Sequence, residues 1–270
     1  MILALLVGAG LAVGMVGSLV GVGGGFIVVP LLVLGLGVAP RVAAGTSLLM
    51  VTANALVGAL AHARRGRVDW LGAIFLTACA YPGSFLGAWL GSRLEAALFN
   101  LIFGALLIGL GLFMAYRTYR DGGREAASLE PRRRGPFLWE RNLTLEDGVP
   151  YRFSFSVPLA AAVTFCIAVL GGMLGIGGGP ILVPFLTFGL GYPIHAAVAT
   201  SQLNIAFTSA GSAAMYVHGG HFLPAHAAAL IAGVLAGAPV GAWLSGRTRA
   251  RNLAFIMSGL LLLLGLKLTL

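Results

Sequence analysis

The chain has 270 residues, of which 17 are basic, 8 acidic and 41 glycine, while 59% are hydrophobic. A soluble domain draws about a quarter of its residues from Asp, Glu, Lys and Arg. Here the share is 9% and mean hydropathy is +0.96, which leaves more apolar surface than packing in water can cover and excludes a soluble enzyme. The net charge of +9 points to nucleic acid only until the charges are located.

Apolar segments run near 1–20, 42–62, 70–91, 96–116, 157–176, 196–217, 225–245 and 252–270. Each approaches the roughly 20 residues that span a bilayer core as a helix. The start, Met1-Ile2-Leu3-Ala4, lacks the basic region of a cleaved signal and reads as a membrane helix. After the first segment come Gly21-Val22-Gly23-Gly24-Gly25 and a short apolar piece, Phe26–Val38; after the fifth come Gly175-Ile176-Gly177-Gly178-Gly179 and Pro180–Tyr192. A helix of that length reaches about 20 Å, short of the roughly 30 Å core. The expected class is an all-α polytopic membrane protein, each half holding about four long helices and a short one after a glycine break.

The halves, 1–116 and 157–270, flank a polar block at 117–156. It holds eight arginines (117, 120, 124, 132, 133, 134, 141, 152) and six acids (121, 125, 130, 140, 146, 147), so its net charge is only +2. Interleaved signs make it a solvated linker and argue against a nucleic-acid partner. Arg132-Arg133-Arg134 reads as a lipid-headgroup or topology signal. Asn142–Phe155, alternating around Glu146-Asp147-Gly148, predicts a small β-hairpin lying against the membrane.

A shift of 154 residues superposes Gly17–Arg93 on Gly171–Arg247 without a gap, with about a third of the 77 pairs identical. Both glycine runs, Pro30 with Pro184, Thr46-Ser47 with Thr200-Ser201, and Gly87-Ala88-Trp89-Leu90 with Gly241-Ala242-Trp243-Leu244 coincide. Cytoplasmic loops are enriched in Lys and Arg. Arg64-Arg65-Gly66-Arg67 is basic where its partner His218-Gly219-Gly220-His221 is not, and Arg93 with Glu95 is outweighed by Arg247, Arg249 and Arg251. Opposite bias in paired loops predicts inverted-topology repeats, with the linker cytoplasmic and both termini outside.

Paired glycine breaks in inverted halves point to a transporter site. Amides released there must be satisfied inside protein or a wet cavity, and helix N-termini attract anions; glycines also serve simple close packing. The candidate site comprises Gly21, Gly23, Gly24 and Gly25 with Gly175, Gly177, Gly178 and Gly179. Downstream polar residues join it: Thr46, Ser47 and Asn54 in the first half, Thr200, Ser201, Gln202 and Asn204 in the second. Ser201, Asn204 and Thr208 are spaced to share a helix face. Arg41 and its partner His195 stand at helix entrances, as anion guides or headgroup contacts; His62 and His226 are coupling candidates.

No Asp or Glu lies inside an apolar segment, so a site of amides, hydroxyls and carboxamides suits an anion better than a cation. Cys79 and Cys166 are isolated packing thiols without metal spacing. No catalytic group, metal or cofactor is expected: there is no HExxH, GxSxG, embedded acid pair or Cys/His ligand set.

The duplicated Gly-x-Gly-Gly-Gly with its short Pro-containing helix, Gly45-Thr46-Ser47, Ala199-Thr200-Ser201, the basic linker and its Asp147-Gly148…Tyr151-Arg152-Phe153 stretch resemble the TauE/SafE family over essentially the whole chain. That resemblance implies a bacterial-type inner-membrane exporter of sulfite or an organosulfonate, its site falling on the two glycine runs and the Thr-Ser pairs. Leu48 opposite Gln202 and Met50 opposite Asn204 allow an asymmetric site. The expected mechanism is alternating access by rocking halves, without cofactors; a passive anion channel is the main alternative, an embedded enzyme or a sensor lesser ones. The partners expected are lipid and a small anion, with self-association left open.

Overall fold

The computed structural model describes residues 2–120, 137–144, 150–245, 247 and 248, and of the C-terminal stretch 255, 258, 259, 261–263, 265 and 266. Most of the predicted segment 252–270, Arg132–Arg134 and the hairpin tip at 146–148 therefore lie outside the described residues.

In chain order the elements are α1 (Ile2–Val20), α2 (Gly25–Pro30), α3 (Pro40–Ala63), α4 (Trp70–Gly91), α5 (Ala96–Arg120), β1 (Leu138–Thr144), β2 (Pro150–Ser156), α6 (Val157–Leu174), α7 (Gly179–Pro184), α8 (Ile194–His218) and α9 (Pro224–Ser245). Pro30 and Pro184 cannot donate a helical bond, and each is followed by one wide π-turn, Leu31–Gly35 and Phe185–Gly189. Proline also opens α3, α6 and α7, where a missing N–H costs nothing.

Six helices among the described residues, α1, α3, α4, α5, α6 and α9, are long and apolar enough to cross a membrane. The 25-residue α8 matches them in length but is more polar, and it buries Thr200, Ser201, Gln202, Asn204, Thr208, Ser209 and Ser212. A helix that hides its polar groups among other helices need not be apolar all round.

The backbone repeats as closely as the sequence. Ten glycines among the described residues have positive φ: Gly21, Gly23, Gly24, Gly37 and Gly66, and Gly175, Gly177, Gly178, Gly191 and Gly220. They form five pairs, each separated by 154 positions.

Packing joins the halves crosswise. α1 lies parallel to α9: Gly14 faces Val234, and Gly241 faces Met15. α4 lies parallel to α6 by equivalent contacts, with a Cβ on Gly83 falling 2.6 Å from Phe165 O. Small residues let membrane helices approach this closely. Between these pairs the repeat equivalents α3 and α8 run antiparallel, with Thr52 Oγ1 donating to Ser209 Oγ at 3.0 Å and Gly58 against Gln202. α3 also packs on α9, and α8 on α4.

β1 and β2 pair antiparallel from Leu138↔Ser156 to Thr144↔Pro150, starting ahead of the expected Asn142. Phe153 and Phe155 are buried against Tyr192, Leu76, Leu186 and Leu190, and Trp139 meets Phe75 edge-on at 5.4 Å. The aromatic face is thus covered by protein, whereas the sequence had pointed to lipid.

Candidate functional site

Both long helices that lead into the glycine runs end in the same way. The N–H groups of Gly21, Val22 and Gly23 all turn back to Gly17 O, at 3.0, 2.9 and 3.3 Å. Gly175, Ile176 and Gly177 do the same with Gly171 O. These amides, expected to be free, are therefore satisfied. The N–H groups of Gly24, Gly25 and Phe26, and those of Gly178 and Gly179, have no hydrogen-bond partner among the described residues. Gly24 and Gly178 cap the short helices at φ 90° and 80°, a conformation that costs glycine little.

The two breaks touch at the centre. A Cβ on Gly25 would lie 2.8 Å from Gly175 O, and one on Gly179 would strike Val22 O. Gly23 and Gly177 both face the same two side chains, Val51 of α3 and Ile205 of α8, which are repeat partners and fully buried.

The polar side chains gather at the first break. Asn54 Nδ2 donates to Gly23 O at 2.8 Å and Ser18 Oγ donates to Asn54 Oδ1 at 3.0 Å. Gln202 Nε2 donates to Gly17 O at 2.9 Å, and Ser201 Oγ to Gly21 O at 2.7 Å. His62 Nε2 lies 3.4 Å from Ser18 O. At the second break Leu48 takes the place of Gln202, and Tyr216, the repeat partner of His62, donates to Met173 O at 3.1 Å. The arrangement is two-fold in backbone and one-sided in chemistry.

Other expected residues lie apart from the breaks. Thr46 Oγ1 accepts from Leu223 N at 2.9 Å, and Thr200 Oγ1 from Asp69 N at 3.2 Å. These equivalent bonds tie the start of α9 to α3 and the start of α4 to α8. Asn204 Nδ2 donates to Thr77 of α4 at 3.3 Å, behind a groove of about 440 Å³ lined by Tyr81, Pro82, Leu203 and Phe207. Thr208 bonds its own helix at Asn204 O, so Ser201, Asn204 and Thr208 serve three different neighbours. Ser47 Oγ is buried without a partner. Arg41 is exposed, while His195 and His226 are half-buried, all three in the first turns of α3, α8 and α9. Among the described residues no group of three His, Cys, Asp or Glu side chains is placed to hold a metal.

Asp69 is the acid that reasoning from loop ends undervalued. It is 1% exposed, ion-paired with Arg141 of the hairpin, accepts from Tyr192 Oη at 2.8 Å and caps α4 through Gly72 N. Burial, then the neighbouring carboxylate, pushes the Tyr192 hydroxyl well above its ordinary range. Ser18, Gly58 and the Val51–Ile205 pair were also missed. Only the repeat register at Gly17/Gly171 and Val51/Ile205 hinted at them.

The family profile described as sulfite exporter TauE/SafE matches residues 6–268. The chain belongs to the TauE/SafE family. This TauE/SafE protein is 31% identical over 98% of its length to the probable membrane transporter protein YunE of Bacillus subtilis, covering 96% of that protein. It is 30% identical over 74% of its length to a probable membrane transporter protein of Xylella fastidiosa, covering 68% of it. A probable membrane transporter protein of Methanocaldococcus jannaschii is 29% identical, with 80% and 73% of the two chains covered. No solved structure matches the TauE/SafE chain significantly. Family and apolar helices together make it a multi-pass membrane transporter.

Proposed function

We propose that this TauE/SafE transporter carries a small anion, sulfite or an organosulfur anion such as a sulfonate, outward across a bacterial-type inner membrane. The anion would bind near the midplane at the amides of Gly24, Gly25, Gly178 and Gly179, with Asn54, Ser201 and Gln202 shaping the first break. The observation that carries this reading is the meeting of two glycine breaks with partnerless amides at the centre of a bundle. Buried amides are costly when unsatisfied, and an anion answers several at once.

The topology in this proposal is inverted, with the linker and Arg64–Arg67 cytoplasmic and both termini outside. The antiparallel crossing of repeat equivalents α3 and α8 supports it. An inside-negative potential favours outward anion movement by about 2.3 kcal/mol per charge per 100 mV. The moving bodies we propose are α1, α2, α3 and α9 against α6, α7, α8 and α4, which differ from the halves in sequence because the tightest packing is crosswise. Val51 and Ile205, closed between the breaks, favour a carrier over a standing pore.

Reconstituted protein tests the site. Sulfite efflux from liposomes should saturate and be stimulated by sulfite on the far side, and Gly24→Leu or Gly178→Leu should abolish it. Unchanged flux in both variants would remove the glycine breaks from the site.

A further inference from the structure

The buried stripe Asn54, Gly58 and His62 on α3 faces Ser18 of α1 and Gln202 of α8. Two acceptors on it have no donor. Gln202 is fully buried; its Nε2 must face Gly17 O, because a carbonyl only accepts, so Oε1 is turned the other way and has no partner. That oxygen would lie 3.3 Å from a Cβ on Gly58, one turn from His62. His62 is 1% exposed. Its Nε2 faces Ser18 O and must carry the ring hydrogen, which leaves Nδ1 with a lone pair and no partner. Buried acceptors without donors are rare, and each calls for an explanation.

We infer that His62 Nδ1 is the proton-binding site of this transporter, and that a proton and the anion at the glycine break are carried together, a dianion such as sulfite keeping one negative charge on which the potential still acts. The inference rests on the anion reading above. One proton adds to Nδ1 from water on one side of the membrane and leaves Nδ1 to water on the other; no other bond changes. Protonation converts Nδ1 into a donor in a stripe that holds an idle acceptor. The charge then lies one polar relay from the anion: His62 to Ser18, Ser18 Oγ to Asn54, and Asn54 to Gly23 beside the free Gly24 amide.

The charged and titratable groups within electrostatic reach of His62 are Arg67 and Arg65 from the connection to α4, Arg65 donating to Ala242 O of α9, and His195 from the first turn of α8. α1 contributes no ionisable side chain. Asp69 of the same connection is already held by Arg141 and Tyr192. Arg67 and Arg65 are fixed positive charges near the ring, and an anion at the break offsets their repulsion of a proton on it. Each ligand therefore raises the other's affinity by the same factor. The opposite side has no counterpart, because Tyr216 replaces His62 and Leu48 replaces Gln202.

The test uses the full chain in liposomes with the membrane potential clamped at zero. A pH gradient should drive sulfite accumulation of about tenfold per pH unit for one proton per anion. His62→Gln should lose the gradient-driven accumulation, whatever sulfite exchange it retains. A readout independent of exchange is proton uptake when sulfite is added to weakly buffered purified protein: wild type should take up protons and His62→Gln should not, and equal uptake by the two overturns the inference. Accumulation that persists in an exchanging His62 variant overturns the inference, as does wild-type exchange indifferent to the pH gradient. Absence of wild-type sulfite exchange removes the anion reading as well.

Discussion

Asp69 and Arg141 illustrate how a few residues fix the linker to the membrane body. The carboxylate is almost wholly buried, and its partner is 12% exposed. Removing one member of a buried pair leaves an uncompensated charge and costs about 3–5 kcal/mol. Arg141→Ala should therefore lower stability by about 3 kcal/mol, the low end, because the arginine retains some contact with solvent. Asp69→Asn together with Arg141→Ala should recover part of that loss, and thermal unfolding in detergent measures both. At this scale the sequence was partly legible. Asn54, Ser201 and Gln202 stood out as polar residues in apolar helices, and all three meet the first break. Thr46 and Thr200 were correctly paired by the repeat, yet each clasps the start of a helix from the other half. Spacing tells which residues share a face; it does not tell which backbone group will stand opposite a hydroxyl.

For the helices, the repeated Gly-Ala-Trp-Leu acquires a physical reason. Gly87 and Gly241 lie directly against the backbone carbonyls of Val169 and Met15, so any side chain there must push two helices apart. The neighbouring tryptophans are exposed and carry Arg93 and Arg247 over their rings at 3.7 and 3.8 Å, an arrangement that suits an amphipathic ring near lipid headgroups. Gly87→Leu and Gly241→Leu should each cost more than about 4 kcal/mol, the range reserved for overpacking that cannot relax. Gly109→Leu, where a Cβ meets nothing within 4 Å, should melt within about 0.5 kcal/mol of wild type. Melting temperatures of the three purified proteins decide the matter. Most helix limits were legible to within a few residues, because loop charges and glycines punctuate the apolar runs. α8 was legible as the apolar segment 196–217, although it is more polar than the other long helices.

For the molecule as a whole, the repeat could be read off the chain, but the crosswise pairing could not. Apolar helices look alike on most faces, and a glycine stripe on α9 does not declare that α1 will fill it. α3 packs against α8 at the centre of the bundle, between the α1–α9 and α4–α6 pairs, and this contact is the seam of the two bodies proposed above. Val51 and Ile205 stand at that seam, each against both Gly23 and Gly177. Replacing both with glycine should open a leak, so that sulfite efflux loses saturation and far-side stimulation while its rate rises several-fold. Efflux with wild-type saturation would show that another pair forms the closure.

The pairing of α1 with α9 also sets the order in which the protein can be made. α1 is synthesised before the other described helices, yet its partner emerges more than 200 residues later. α4 needs only the linker and α6 to complete its own pair. α1 must therefore wait with the glycine face that meets α9 uncovered while the helices between them are inserted. Contacts this distant in sequence form late and slowly. A ribosome that stalls before α9 leaves α1 held through Ser18 to Asn54 and His62 of α3, with the glycine face that meets α9 bare.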